Sequence, residues 1–239
     1  MASITKGASY APTSTWKQNL VNSIARSRKV RGGNYVQMAT VDAENRPHNR
    51  TVVFRGFQVD ENGKEAFKMI TDARSQKVEQ VKHSPYCEMV WWFGKTSEQY
   101  RVYGTLRLVG PDAQDSNSEK QNHIAIARKQ QWGNLSDPAR EQFYWDPPGI
   151  EFSSDTERQV KSLPKGGRCA DTGKVLPPPP NFLLMLLYPQ EVKYLRLTDN
   201  YAQIDKMCDQ LGQKEIPDNT NTSQSSEANS GWVSIHVNP

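Results

Sequence analysis

No apolar run in this chain is longer than one β-strand. The longest, Phe182 to Tyr188, has seven residues, whereas a membrane-crossing helix needs about 20. The other apolar stretches are short and lie between clusters of Gly, Pro, Asn and Asp, the pattern of strands joined by turns. Hydrophobic residues are 36% of the 239-residue chain. That share is low, but the polar excess is concentrated in a few stretches, so a packed core is expected elsewhere. The formal charge of +4 comes from 30 Lys and Arg against 26 Asp and Glu. The basic residues are scattered apart from Arg26 to Arg31, and a nucleic-acid binder shows a denser patch. Met1 to Tyr10 has no apolar core of the secretory-signal kind. Cys87, Cys169 and Cys208 share no C-x-x-C spacing, and any pairing leaves one thiol over. Neither a membrane nor a disulfide scaffold is expected, and a cytoplasmic setting fits.

Residues 1–14, with Gly, Ser, Thr and Pro and no periodicity, read as a flexible leader. A helix is expected from Thr15. Thr15 and Gln18 have capping-box spacing, and Trp16, Leu20 and Ile24 recur on one face until Gly32-Gly33 breaks the chain. From Asn34 the composition turns β-branched and apolar. Strands are expected at 35–41, 48–57, 67–71, 86–93 and 99–109, the first two forming a hairpin through Asp42 to Pro47. A short helix at 75–83 stops at Ser84-Pro85. Five closely spaced strands around one helix predict a mainly β fold, an antiparallel barrel with peripheral helices. Further helices are expected at 115–131 and 136–143, and strands at 182–188, 191–197 and 231–237, with Pro189 separating the first two of these. Residues 15–239 read as a single domain, with mobile loops at about 146–181 (proline-rich) and 212–231 (rich in Asn, Ser and Gln).

Three clusters carry chemistry. The first is Arg50-Thr51-Val52-Val53-Phe54-Arg55, two arginines on one expected strand and on opposite faces of it. Strand arginines flanked by Val and Phe are desolvated and call for an anion or a carboxylate. The second is Thr71-Asp72-Ala73-Arg74-Ser75-Gln76-Lys77, at a strand end running into a helix start, where hydroxyls, free N–H groups and a lysine make an anion site. The third is Gln99 at a strand entry with Arg101 inside the strand. Each cluster taken alone is equally open to a structural role: Arg50 and Arg101 pairing with Glu88 or Asp72, Ser75 serving only as a cap. His48, His83, His123 and His236 have no partner at ligand spacing, and no metal site is expected.

The order and spacing of these clusters resemble the pyridoxamine 5′-phosphate oxidase family. Its opening strand is similar to Ala39-Thr-Val-Asp42 with Asn45-Arg-Pro47. Its cofactor strand is similar to Arg50–Arg55, its Thr-Asn/Asp and Ser-x-Lys to Thr71-Asp72 and Ser75-Gln-Lys77, and its later strand to Glu98-Gln99 and Val102-Tyr-Gly104. At the end of the chain, Trp232 precedes Val237-Asn-Pro239 much as in the family. The resemblance implies an FMN-binding split barrel, a homodimer with FMN at the subunit interface, and a small-molecule substrate or electron donor. It also implies that Arg50, Thr51, Val52, Val53, Thr71, Gln76, Lys77 and Gln99 contact the flavin or its phosphate. Arg55, Ser75 and Arg101 join them as cofactor-site candidates. No catalytic side chain is nominated.

Two features depart from the vitamin-converting members. Their Arg-Leu-His-x-Arg is absent after Glu191–Leu197, and their Tyr/Arg/Ser phosphate set is unrecognisable around 119–136. Trp132, Arg140 and Trp145 are candidates for a different pocket wall, or for aromatic packing under a long loop. Arg140, Arg101 and Arg196 are the cations available to replace the missing set. The expectation is an FMN-dependent oxidoreductase of undetermined substrate. The alternatives are a pyridoxamine/pyridoxine 5′-phosphate oxidase proper and a non-catalytic FMN- or small-ligand-binding barrel.

Overall fold

A computed structural model gives the structure of residues 15–111, 119–151, 165–169, 171–208 and 231–239. The expected leader, most of the 212–231 loop and the middle of the 146–181 loop lie outside these described residues. Four α-helices are described: α1 (Thr15–Ser27), α2 (Gln76–His83), α3 (Glu119–Gly133) and α4 (Asp137–Glu141). Nine strands accompany them: β1 (Tyr35–Val41), β2 (Pro47–Val53), β3 (Phe57–Val59), β4 (Glu65–Asp72), β5 (Tyr86–Phe93), β6 (Glu98–Val109), β7 (Phe182–Arg196), β8 (Tyr201–Met207) and β9 (Trp232–Val237). The pairs β1–β2, β3–β4, β4–β7, β7–β8 and β8–β9 are antiparallel.

The chain divides into two compact units. One gathers Met1–Gly33, Val90–Val102 and Gln190–Pro239, the other Asn34–Met89 and Tyr103–Pro189. The strand order is β2-β1-β5-β6-β7-β4-β3, in which β2, β1, β4 and β3 belong wholly to the second unit and β5, β6 and β7 run through both. The β1–β2 hairpin pairs Tyr35 with Val53 through to Val41 with Pro47. Its turn is tied by Asp42, whose carboxylate accepts from the Glu44 and Arg46 N–H groups and lies 2.8 Å from His48 Nε2. The core of the second unit is Ala66, Val109, Ile124, Ala127, Leu184 and Leu186, with an aromatic cluster of Trp132, Phe143 and Phe182 around Leu135. In the first unit β8 pairs with β7 and β9. There Trp16 of α1 packs edge-on against Trp232, with ring centroids 5.3 Å apart. Ser23 of α1 and Tyr194 of β7 both donate to the buried carboxylate of Glu98.

Three elements differ from expectation, each for a visible reason. The strand expected at 48–57 is broken, because the chain changes partner. Phe54 N–H still bonds Asn34 O, but Arg55 N–H bonds Lys68 O, and Gly56 turns the backbone at φ +102°. Arg50 and Arg55 therefore do not share one strand. The two strands expected around Pro189 are one strand, β7. Pro189 falls between the ladder to β4, which ends at Leu187, and the ladder to β8, which begins at Glu191. Neither ladder asks for the N–H it lacks. Strand β8 was not expected, because two of its inward positions are polar: Gln203 and Asp205 are both buried, and Gln203 Nε2 donates to both Asp205 oxygens.

Candidate functional site

The anion-binding candidates of the second unit converge where β2, β4 and α2 meet. Thr71 ends the buried face of β4, and Ser75 immediately precedes α2. Both are buried, and their hydroxyls lie 3.1 Å apart. Ser75 Oγ donates to Asp72 O at 2.8 Å and accepts from Lys77 Nζ at 3.2 Å. Asp72 does not pair with Arg50. It accepts from Arg74 at 2.7 and 3.0 Å and from Asn181 Nδ2 at 2.9 Å, while Arg74 and Asn181 also hold the carbonyl of Phe143. Burial works against the Asp72 carboxylate, but hydrogen bonds from Arg74 and Asn181 outweigh it and keep its pKa below the ordinary value.

Arg50 reaches the same place from β2. Its Nη1 donates to Thr40 Oγ1 at 2.6 Å and Met38 O at 3.3 Å, and its Nη2 donates to Gln80 Oε1 at 2.8 Å. All three acceptors are neutral, so the guanidinium charge is held in place without being neutralised. Burial pushes the Arg50 pKa down. The Lys77 pKa is lowered by burial first and by the Arg50 charge second. Among the described residues neither cation makes an ion pair. The Asp72 carboxylate partly offsets the lowering of the Lys77 pKa. A half-buried lysine facing a half-buried arginine, beside two hydroxyls at a helix start, is a donor set of the kind that suits an oxyanion.

The other candidates fall into place around this cradle or apart from it. Val52 is buried beside Arg50's face of β2, Thr51 is exposed and Val53 half-buried on the opposite face, and Gln76 is exposed at the first residue of α2. Arg55 lies beyond the end of β2, its Nε buried without a hydrogen-bond acceptor. Gln99 is half-buried and Arg101 exposed on β6, in the first unit. Cys87 is buried in an apolar setting that pushes its thiol up to about 12, so it stays protonated and is no nucleophile. Two residues with a direct hold on the cradle, Thr40 and Gln80, were not singled out from the sequence. The signal available for Gln80 was a polar residue between the inward Val78 and Val81.

Of the three residues with two readings, Trp132 and Arg140 are packed inside the chain, whereas Trp145 is exposed. Trp132 lies within the aromatic cluster at 2% exposure. Arg140, equally buried, donates to the carbonyls of Trp132, Gly133 and Leu135 and pairs with Asp137, closing the C-terminal end of α3. Arg196 pairs with Asp199 at 2.6 Å. Neither arginine is left over to replace the missing substrate cations.

Residues 13–110 match the family model described as pyridoxamine 5′-phosphate oxidase, FMN-binding domain. The chain is 35% identical to the pyridoxine/pyridoxamine 5′-phosphate oxidase 2 of Arabidopsis thaliana over 195 residues, covering 81% of this chain and 87% of that one. The chain belongs to this family. A pyridoxine/pyridoxamine 5′-phosphate oxidase of Pseudomonas putida is 31% identical over 101 residues, 42% of this chain and 44% of that one. The crystal structure of a pyridoxamine 5′-phosphate oxidase-related, FMN binding protein of Nostoc punctiforme superposes with a TM-score of 0.72 at 30% identity, covering 95% of this chain and all of that one. PhzG of Burkholderia lata shares the fold, with a TM-score of 0.63 at 14% identity over 95% of this chain and 94% of that one. The expected antiparallel split barrel is the fold of this family member.

The depressed Lys77 gives the cradle a pH signature. Its folded pKa lies below the ordinary 10.5. Between those two values the unfolded chain keeps a proton that the folded chain has lost, so the ligand-free protein gains stability as pH rises there. Binding of an oxyanion favours charged Lys77 and reverses that preference. Affinity for a phosphate ester is therefore expected to fall on the alkaline side as Lys77 deprotonates. It should also fall below about pH 6, where the phosphate dianion takes up a proton. Titrations from pH 5 to 10.5 check this, and Lys77→Met is expected to lose the alkaline limb while keeping the acid one.

Proposed function

We propose that this protein is an FMN-dependent oxidoreductase that holds the flavin phosphate between Arg50, Lys77, Thr71 and Ser75. The observation that carries this reading is the pair of half-buried cations, with no ion-pair partner among the described residues, at a hydroxyl-lined helix start, in a member of an FMN-binding family. The donor set fits the group: a phosphate dianion takes charge-assisted hydrogen bonds from a guanidinium and an ammonium, and ordinary ones from hydroxyls. When bound, the flavin supplies the two-electron chemistry, and the chain supplies binding, orientation and local charge. Thr51, Val52, Val53 and Gln76 flank the cradle and would line the cofactor.

The protein is further proposed to work as a cytoplasmic homodimer with FMN where two subunits meet. Tyr35 on β1, Tyr86 on β5 and Tyr103 on β6 are exposed by 50%, 51% and 40%, and Tyr86 and Tyr103 stack with rings 4° from parallel. Neighbouring strands presenting a row of exposed aromatics suit a face covered by a second copy. A solution mass of two 27.1 kDa chains is expected, and a single-chain mass at micromolar concentration would contradict it.

The substrate is proposed to be other than pyridoxamine or pyridoxine 5′-phosphate, because the family's Arg-Leu-His-x-Arg and its Tyr/Arg/Ser phosphate set are absent and Arg140 and Arg196 are committed elsewhere. The match to the Arabidopsis oxidase over most of both chains supports a second reading, in which the activity persists on a different residue set. An assay of FMN-loaded protein under air, following hydrogen peroxide with both vitamin phosphates, separates the two. The first reading predicts no turnover. Turnover on the order of 1 per second or faster supports the second.

A further inference from the structure

Arg50 has five N–H groups, and the structure accounts for three of them in a particular way. Nη1 donates to Thr40 Oγ1, Thr40 Oγ1 donates to Gln80 Oε1 at 2.6 Å, and Nη2 donates to that same Gln80 oxygen. The hydroxyl and the amide oxygen thus bridge the two terminal nitrogens and close a ring across the end of the guanidinium. The second Nη1 hydrogen goes to Met38 O. What is left is the opposite edge, Nε–H together with the second Nη2–H. Those two parallel donors are the pair that grips two oxygens of one oxyanion. No described hydrogen bond uses Nε.

We infer that Thr40 and Gln80 are positioning residues for the cofactor. They fill the end-on edge of Arg50 with neutral acceptors and thereby present its side-on edge, fully charged, to the flavin phosphate. This rests on the phosphate reading given above. Neutrality is central to it. A glutamate at position 80 would offer the same oxygen to the same guanidinium, but it would also place a carboxylate against Arg50 and compete with the phosphate for its charge. Burial favours this design. Thr40 is fully buried and Gln80 is 6% exposed, so water does not substitute for either, and the charge they leave uncompensated is only weakly screened. It also explains why a β1 threonine and a helix glutamine meet at all, since neither side chain makes a described hydrogen bond outside this ring.

The test compares FMN with riboflavin, which lacks only the phosphate, by flavin-fluorescence titration of the cofactor-stripped full-length protein. The wild type is expected to prefer FMN by at least about 100-fold. Gln80→Glu is expected to lose about 10-fold or more in FMN affinity and to keep riboflavin affinity within about twofold. Thr40→Val, which opens the ring, is expected to behave alike, and Thr40→Ser, which keeps the hydroxyl, to restore the preference. A merely structural role would lower both affinities together and would not be rescued by serine alone. The Thr40 pair carries the test if Gln80→Glu does not fold. A wild-type preference for FMN that survives Gln80→Glu and Thr40→Val unchanged overturns the positioning role and leaves the phosphate reading standing. Equal wild-type affinity for the two flavins overturns the phosphate reading, and this inference with it.

Discussion

Replacing Arg50 and Lys77 together by alanine is expected to abolish FMN binding at micromolar concentrations, with the fold intact. Each cation makes a charge-assisted contact with the phosphate, of a kind worth about 1.5–3 kcal/mol, or about 10- to 150-fold in affinity. The two effects should not simply add. In the ligand-free protein the Arg50 charge lowers the Lys77 pKa, so removing Arg50 relieves Lys77. The single variants should bind FMN more weakly, and the ligand-free Lys77→Ala protein is expected to be no less stable than the parent. Riboflavin affinity should move little in any of the three. Fluorescence titration with both flavins and a urea unfolding curve for each variant check these points. Unchanged FMN affinity in both single variants contradicts the assignment of the cradle.

Gly104→Ala is expected to be the most damaging small substitution in the second unit. A Cβ at Gly104 would clash with Tyr188 O and lie 2.9 Å from Tyr188 C. Both are backbone atoms of β7, so no side chain can rotate away. The strand must move instead, and β7 in this stretch is held by its ladder to β4 from Phe182 through Leu187. Overpacking a well-packed site commonly costs 1–3 kcal/mol, and a backbone clash this close belongs at the top of that range, about 3 kcal/mol. For a chain of this length each kcal/mol lowers Tm by roughly 2–4 °C, so a drop of about 6–12 °C is expected. By contrast, Gly63 has open space around its Cβ position, though its φ of +77° adds some strain to Gly63→Ala. A Gly104→Ala protein that melts with the parent would show that β6 and β7 are not packed as described.

The glycine also shows where the sequence was informative. The Val102-Tyr-Gly104 triplet was legible as a family feature, but its physical reason, the approach of two strand backbones, needs the partner strand to be known. Helix α1, strand β5 and the β1–β2 hairpin were legible because their apolar spacing and turn residues agree with one another. The run from Phe54 to Gly56 was misread because a change of strand partner leaves no mark in the apolar pattern. Strand β8 was missed because its buried Gln203 and Asp205 satisfy each other, and such pairs break the alternation that marks a strand. At the site, Arg50, Thr71, Ser75 and Lys77 were nominated together and lie together. Thr40 and Gln80 were not nominated, since a hydrogen-bonded ring assembled from two strands and a helix has no spacing to read. The Arg140 guanidinium was open to a substrate role on charge alone, and only its carbonyl partners reveal it as a helix cap.

A crystal structure of the protein with FMN tests the central claim most directly. The account predicts the flavin phosphate within hydrogen-bonding distance of Lys77 Nζ, a hydroxyl of Thr71 or Ser75, and both Nε and Nη2 of Arg50, with Gln80 still bonded to that arginine. Flavin bound with its phosphate away from Arg50 and Lys77, or no flavin bound at millimolar concentration, would contradict it.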